Sequence, residues 1–358
     1  MPYRVHASKL VNDTIEEIDI NNGNNRVLTT YIPPHNTKMS LSIQELEKKH
    51  QEASTETERL EVLLELVEYH TNDDYVEAWR CGQEALDLAT VLGSRENIAR
   101  SHEGLARTLW KLAEYTEALD HYETALDGFL GVGNLYGVAK CYCGMGVICG
   151  VMEEYGTALE HFDEGLSAAR RSSRTHLAAT ISGNIGHVYF KIGRYAQAIE
   201  CFEHGLSFFQ ENKLDEGIAN MLSGLAGVYV YQGEHAKGLE LVRRALEVHK
   251  RGKNPRGIAV SMMNIGIALQ KMGKLEKAKS ELKSALNYSR SINLKMTEHD
   301  ILKNLSQLCS ELGQEVESRE YLELYLAAQR EEKKMAVQKK AEQFRQRQQI
   351  REMQPRKS

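Results

Sequence analysis

The sequence is poor in residues that punctuate or staple a chain: 358 residues hold 5 Pro, 2 Trp and 6 Cys. Scarce proline leaves long segments free to stay helical, since a residue without an N–H breaks the helical ladder wherever it falls inside one. Cys81, Cys141, Cys143, Cys149, Cys201 and Cys309 form no CxxC pair, which argues against both a disulfide framework and a zinc ribbon. Reduced thiols packed as small hydrophobes are the expectation. No run of about 18 uncharged apolar residues is present to cross a bilayer. Met1 and Pro2 open on a polar stretch, unlike a signal peptide, so a cytoplasmic protein without membrane contact is expected. Charge of neither sign dominates, because a net −5 is mild for this length and 42% of the residues are hydrophobic. Wholesale disorder and general nucleic-acid binding are both disfavoured.

What the chain has in quantity is self-similarity, and a repeat decides the fold before any single motif does. Tyr75, Tyr115, Tyr155, Tyr195, His235, Leu275 and Glu315 recur every 40 residues. Three residues after each stands a small side chain: Ala78, Ala118, Ala158, Ala198, Gly238, Ala278 and Ser318. Before them run Leu105, Met145, Ile185, Leu225, Ile265 and Leu305, each followed at once by Ala, Gly or Ser. Leu105, Leu109 and Leu112 share helical spacing, as do Tyr115, Ala118, Tyr122 and Ala125, so each unit reads as two helices with one apolar stripe apiece. Gly193, Gly233 and Gly273 fall between them, where a helix end favours a left-handed residue.

The segment IGHVYFKIGRYAQAIECFEHGL, Ile185 to Leu206, resembles a tetratricopeptide repeat. The small residue after the aliphatic, the glycine before the aromatic and the Gly-Leu near the end of the second helix carry the likeness, which covers about Glu56 to Ala328. The family's usual unit is about 34 residues, so these units are longer. The proline that often ends a unit is absent apart from Pro255, in a link. The longer form resembles repeats of bacterial signalling proteins and of certain eukaryotic polarity adaptors. The resemblance implies an all-α, right-handed superhelical solenoid of about seven helix hairpins with a charged C-terminal helix. Residues 41–53 are expected to form a capping half-repeat and 54–327 the array. Residues 1–40 read as an irregular segment, either mobile or a loosely docked hairpin, and the basic, Gln-rich 328–358 as one helix. That helix is either solvated, a dimerising or linking element, or a nucleic-acid contact.

Catalytic chemistry is hard to find. The chain lacks a GxxxxGK[ST] phosphate loop, a GxGxxG between strand and helix, an HExxH and a GxSxG. Ser280 and Lys283 match an SxxK spacing on a charged helix face, where nothing would lower the lysine pKa. His121 and His161 hold equivalent places in successive units, which favours a structural role, and Cys141 and Cys143 point about 200 degrees apart on a helix. No catalytic residue, cofactor or metal is expected.

Repeat superhelices expose a concave face lined by each first helix, and binding is the property that geometry supplies. By the resemblance, the inward positions are Arg107, Trp110 and Lys111, then Lys140, Val147 and Val151, then His187, Phe190 and Lys191. Asn220, Val230 and Tyr231 follow, and Met263, Ile267 and Lys271 complete the set. An apolar floor with cations beside it suits an amphipathic or extended peptide carrying acidic residues. Alternatively, the longer helices bury these side chains between units. Asn184, Asn264 and Asn304 either meet a ligand backbone or tie adjacent helices together. The expected function is a non-enzymatic scaffold that binds a protein or peptide in the groove. The alternative is the sensory module of a bacterial signalling system with a cyclase, diguanylate cyclase or kinase partner, transmitting through the C-terminal helix to a separate chain or to a homodimer mate.

Overall fold

The computed structural model describes residues 42–71 and 74–331, apart from the Met296 side chain. The expected N-terminal segment and the tail beyond residue 331 lie outside the described residues. Every regular element among the described residues is a helix. A short helix, α1 (Ile43–Glu52), begins with Ser42 and Glu45 capping each other's backbone, and it seats Leu46 in the core beside α2. Thr55 and Glu58 repeat that reciprocal cap at the start of α2 (Glu56–His70), satisfying N–H groups that have no partner inside the helix.

Next come α3 (Tyr75–Val91), α4 (Arg95–Lys111), α5 (Tyr115–Val132), α6 (Leu135–Val151), α7 (Tyr155–Arg171), α8 (Thr175–Lys191) and α9 (Tyr195–Glu211). After α10 (Asp215–Tyr231) follow α11 (His235–Arg251), α12 (Pro255–Lys271), α13 (Leu275–Ser291) and α14 (Lys295–Glu311). The last described helix, α15, runs over 315–331. Even-numbered helices from α2 onward are the first of each hairpin and odd-numbered ones the second. The described residues form two compact units, one up to Val228 and one from Tyr229 onward, with the boundary inside α10.

The 40-residue period has a simple physical source. Most helices are 17 residues long and most links three. The links share one turn. At the end of α4 the Glu114 N–H donates to the Leu109 carbonyl at 2.9 Å and the Ala113 N–H to that of Trp110 at 3.0 Å. That pair of bonds is a Schellman turn, which places its middle residue in the left-handed region. Such a residue stands every 20 positions: Gly93, Ala113, Gly133, Glu153, Ser173, Gly193, Lys213, Gly233, Lys253, Gly273, Asn293 and Gly313. Glycine fills half of these places, so the half-period is far plainer in the backbone than in the sequence.

Packing joins large side chains to small ones. Tyr122 and Phe162 are buried in the first unit against Gly144 and Gly146. Phe202 lies between Gly186 of its own hairpin and Gly224 of α10. In the second unit Leu282 fills the same role against Gly266. In the last hairpin Ser306 and Ser318 stand at the close approach and each hydroxyl donates to the other's carbonyl, at 2.9 and 2.8 Å.

Successive first helices touch: α2 with α4, α4 with α6 and α6 with α8 in the first unit, and α12 with α14 in the second. Among the described residues, successive second helices do not touch within the first unit, nor do α11 and α13 in the second. The first helices therefore form the inside of the bend within each unit, which is where a binding face belongs.

Candidate functional site

Along the inside of the first unit, neighbouring first helices are laced by polar contacts. Arg100 of α4 donates to Glu61 of α2 at 2.7 Å. Glu103 of α4 accepts from Lys140 of α6 at 2.8 Å and lies 3.1 Å from the Arg107 Nε. Glu103 and Arg107 are both buried. Burial alone would push the Glu103 carboxyl up, but Arg107 and Lys140 outweigh it and hold the group below the usual carboxylate range. Tyr136, one turn before Lys140, carries the Arg174 guanidinium 4.9 Å from its ring centre. Arg100, Arg107 and Lys140 are thus answered by glutamates of the same wall, so this end offers a guest less free positive charge than its sequence implies.

The proposed groove residues separate into two sets. In the first unit Arg107, Val147, His187 and Phe190 are buried, and in the second Val230, Met263 and Ile267 are too. His187 packs edge-on against Phe202 and Phe190 lies beside Tyr195, both on the second helix of their own hairpin, and Arg107 is drawn to Glu103 on its own helix, so these side chains close onto neighbouring groups instead of opening to a groove. Trp110, Lys111, Lys140, Lys191 and Asn220 are half-buried, while Val151, Tyr231 and Lys271 are exposed. Lys111, Val151 and Lys191 occupy one register position, the last residue of a first helix, as do Tyr231 and Lys271 in the second unit. The accessible band therefore follows the edge where each first helix turns into its partner. On that edge the Lys111 ammonium sits 4.6 Å from the Trp110 ring centre, and Met152 is exposed beside Val151. The register was readable from the repeat, whereas the burial of its neighbours depends on how closely first helices approach.

The recurring asparagines do not act alike. Asn184 reaches from α8 to the Cys143 sulfur of α6 at 3.6 Å, Asn304 donates to the Asp300 carbonyl of its own helix at 2.7 Å, and Asn264 is buried. His102 and His121 bring their Nδ1 atoms to 2.9 Å across one hairpin, and His161 lies beside the Tyr142 ring. Burial and the neighbouring His121 push His102 down to about 4, so it is neutral near pH 7. Burial raises the thiols of Cys141, Cys143 and Cys149, that of Cys143 to about 12, which leaves them protonated and poor as nucleophiles. Lys283 is engaged by Glu317 at 3.1 Å, away from any role with Ser280. Among the described residues no three His, Cys, Asp or Glu side chains gather as a metal site, and no helix is long and apolar enough to cross a membrane.

The tetratricopeptide repeat family matches residues 66–130, 137–211 and 217–291, more than half of the chain. The chain belongs to that family. No curated protein matches the sequence. Among solved structures, the tetratricopeptide chain resembles the Rap protein complexed with Competence and Sporulation Factor, with TM-score 0.67 and 14% identity over 80% of this chain and 79% of the other. The Rap conjugation gene regulator of plasmid pLS20, in complex with the Phr* peptide, gives TM-score 0.65 and 16% identity over 84% and 81%. Aspartyl phosphate phosphatase F from Bacillus subtilis gives TM-score 0.61 and 14% identity over 81% and 77%. At such identities the likeness is one of fold, and it spans proteins described as a gene regulator and as a phosphatase.

Proposed function

We propose that this tetratricopeptide protein is a non-enzymatic scaffold that takes a peptide or partner protein on the first-helix side. The observation that carries the proposal is the accessible band at the ends of α4, α6 and α8, where Trp110, Lys111, Val151 and Lys191 combine apolar and cationic surface along an otherwise closed wall. An extended or helical segment with apolar residues flanked by carboxylates complements it. A solved structure of the same fold held with a peptide supports the same use. Trp110→Ala combined with Lys191→Glu is expected to weaken partner capture about tenfold, the loss of one anchor and one charge pair, with helicity unchanged. Capture equal to the parent protein would make the band structural.

A regulatory role is the second reading, favoured by the likeness to a plasmid gene regulator. In its homodimeric form it requires a dimer that depends on the tail. Light scattering that shows a stable dimer, lost on removing 328–358, would support it, and a monomer at all concentrations would end it.

A further inference from the structure

We propose that the end of α11 and its turn into α12 form a second docking surface, for an acidic protein segment. Residues 243–256 contain Arg243, Arg244, Lys250, Arg251, Lys253 and Arg256 against one acid, Glu247, a net charge of +5 in a chain whose total is −5. The counterpart windows of the other hairpins, at steps of 40 residues from 83–96 to 283–296, run from −3 to +3. All six basic side chains are exposed.

Their placement makes one surface. Arg243 and Arg244 lie seven residues before Lys250 and Arg251, two turns apart on one helix face. Glu247 lies between them and accepts from Lys250 at 3.0 Å, and Glu240 is the other acid on that face. Lys253 holds the left-handed position of the turn and Arg256 opens α12. Beneath them the His249 ring packs where a Cβ on Gly257 would fall, fixing the approach of α12 to α11. Lys250 and Arg251 complement the negative end of α11, but Arg243, Arg244, Lys253 and Arg256 lie outside that last turn and have no such role.

The chemistry selects the occupant. None of the exposed large hydrophobic side chains falls within this patch. Membrane insertion lacks its apolar wedge and single-stranded nucleic acid lacks its stacking rings. Four of the six cations are arginines, whose planar forks match carboxylates in pairs. Pro255 and Lys271, at opposite ends of α12, are about 24 Å apart at 1.5 Å per residue, so the patch lies on the edge away from the proposed peptide band of this unit.

The test is fluorescence anisotropy of a labelled oligo-glutamate peptide with the full chain, titrated over salt. Arg244→Glu, Arg251→Glu and Lys253→Glu together are expected to lower affinity about tenfold or more and flatten the salt dependence. Arg170→Glu with Arg171→Glu, at matching positions of another hairpin, should change it less than about twofold. The same three positions changed to Gln give a milder variant whose circular dichroism must match the parent. No binding by the parent chain, equal binding by the Gln variant, or tighter binding of a short DNA duplex or of phosphatidylglycerol vesicles would each overturn the proposal. The three Gln changes, none of which lies in the first-helix band, should leave partner capture by that band unchanged, so failure here and failure of the first-helix band are separate results.

Discussion

Tyr122, Phe162 and Phe202 in the first unit stand at the same register position as Val242, Leu282 and Leu322 in the second, yet the two units fill that position differently. The first unit sets aromatic rings against glycines, and the next first helix gives Gly144 opposite Tyr122 and Gly224 opposite Phe202. Where the second unit supplies the smaller Val242 and Leu282, the matching places hold Asn264 and Asn304. Asn184 stands opposite Phe162, so the exchange of volume between neighbouring helices holds at four of these five places. Leu322, on the last described helix, is 44% exposed, where Val242 and Leu282 are 0% exposed. Burial at this position comes from the neighbouring hairpin as much as from the residue itself.

The comparison can be broken in order of expected effect. Phe202→Ala empties a socket closed by glycine on two helices and should cost about 3–5 kcal/mol in a denaturant titration. Glu103→Ala leaves Arg107 buried without its near carboxylate and should cost about 3–5 kcal/mol as well, which separates electrostatic from steric closure of the same unit. Because the folded Glu103 carboxyl lies below its ordinary value, its contribution is complete above that value and fades as pH falls through the lower folded one. The stability difference between the parent and Glu103→Ala should therefore shrink on acidification. Leu282→Ala should cost about 2–4 kcal/mol, less than the aromatic site. Ala113→Gly relieves a positive φ of 58° and should raise stability by about 0.5–1 kcal/mol. Leu322→Ala should change it by under about 0.5 kcal/mol, and a loss matching that of Leu282→Ala would mean that α15 is covered in solution.

Much of the fold was legible because the repeat keeps its phase from Tyr75 to Glu315. Helix pairs, small residues at close approaches and the turns at Gly193, Gly233 and Gly273 all follow from that phase. The strict half-period was not, since Ala113, Glu153, Ser173, Lys213, Lys253 and Asn293 take the left-handed place without being glycine. The inward face was legible as a register and not as a surface. Lys111, Val151 and Lys191 remain accessible, whereas Val147, His187 and Phe190 are buried, the last two beside Phe202 and Tyr195 of the partner helix. The pairing of Glu103 with Lys140 across 37 residues depends on how closely first helices approach.

Photo-crosslinking tests the binding face most directly. A benzophenone amino acid placed at Val151, and separately at Glu164 on the second helix of the same hairpin, would be irradiated in native lysate. Val151 is expected to give a discrete crosslinked protein that disappears with Trp110→Ala and Lys191→Glu, and Glu164 none. Equal crosslinking from Glu164, or none from Val151 while Glu164 reacts, would place the guest on the outer helices and contradict the account.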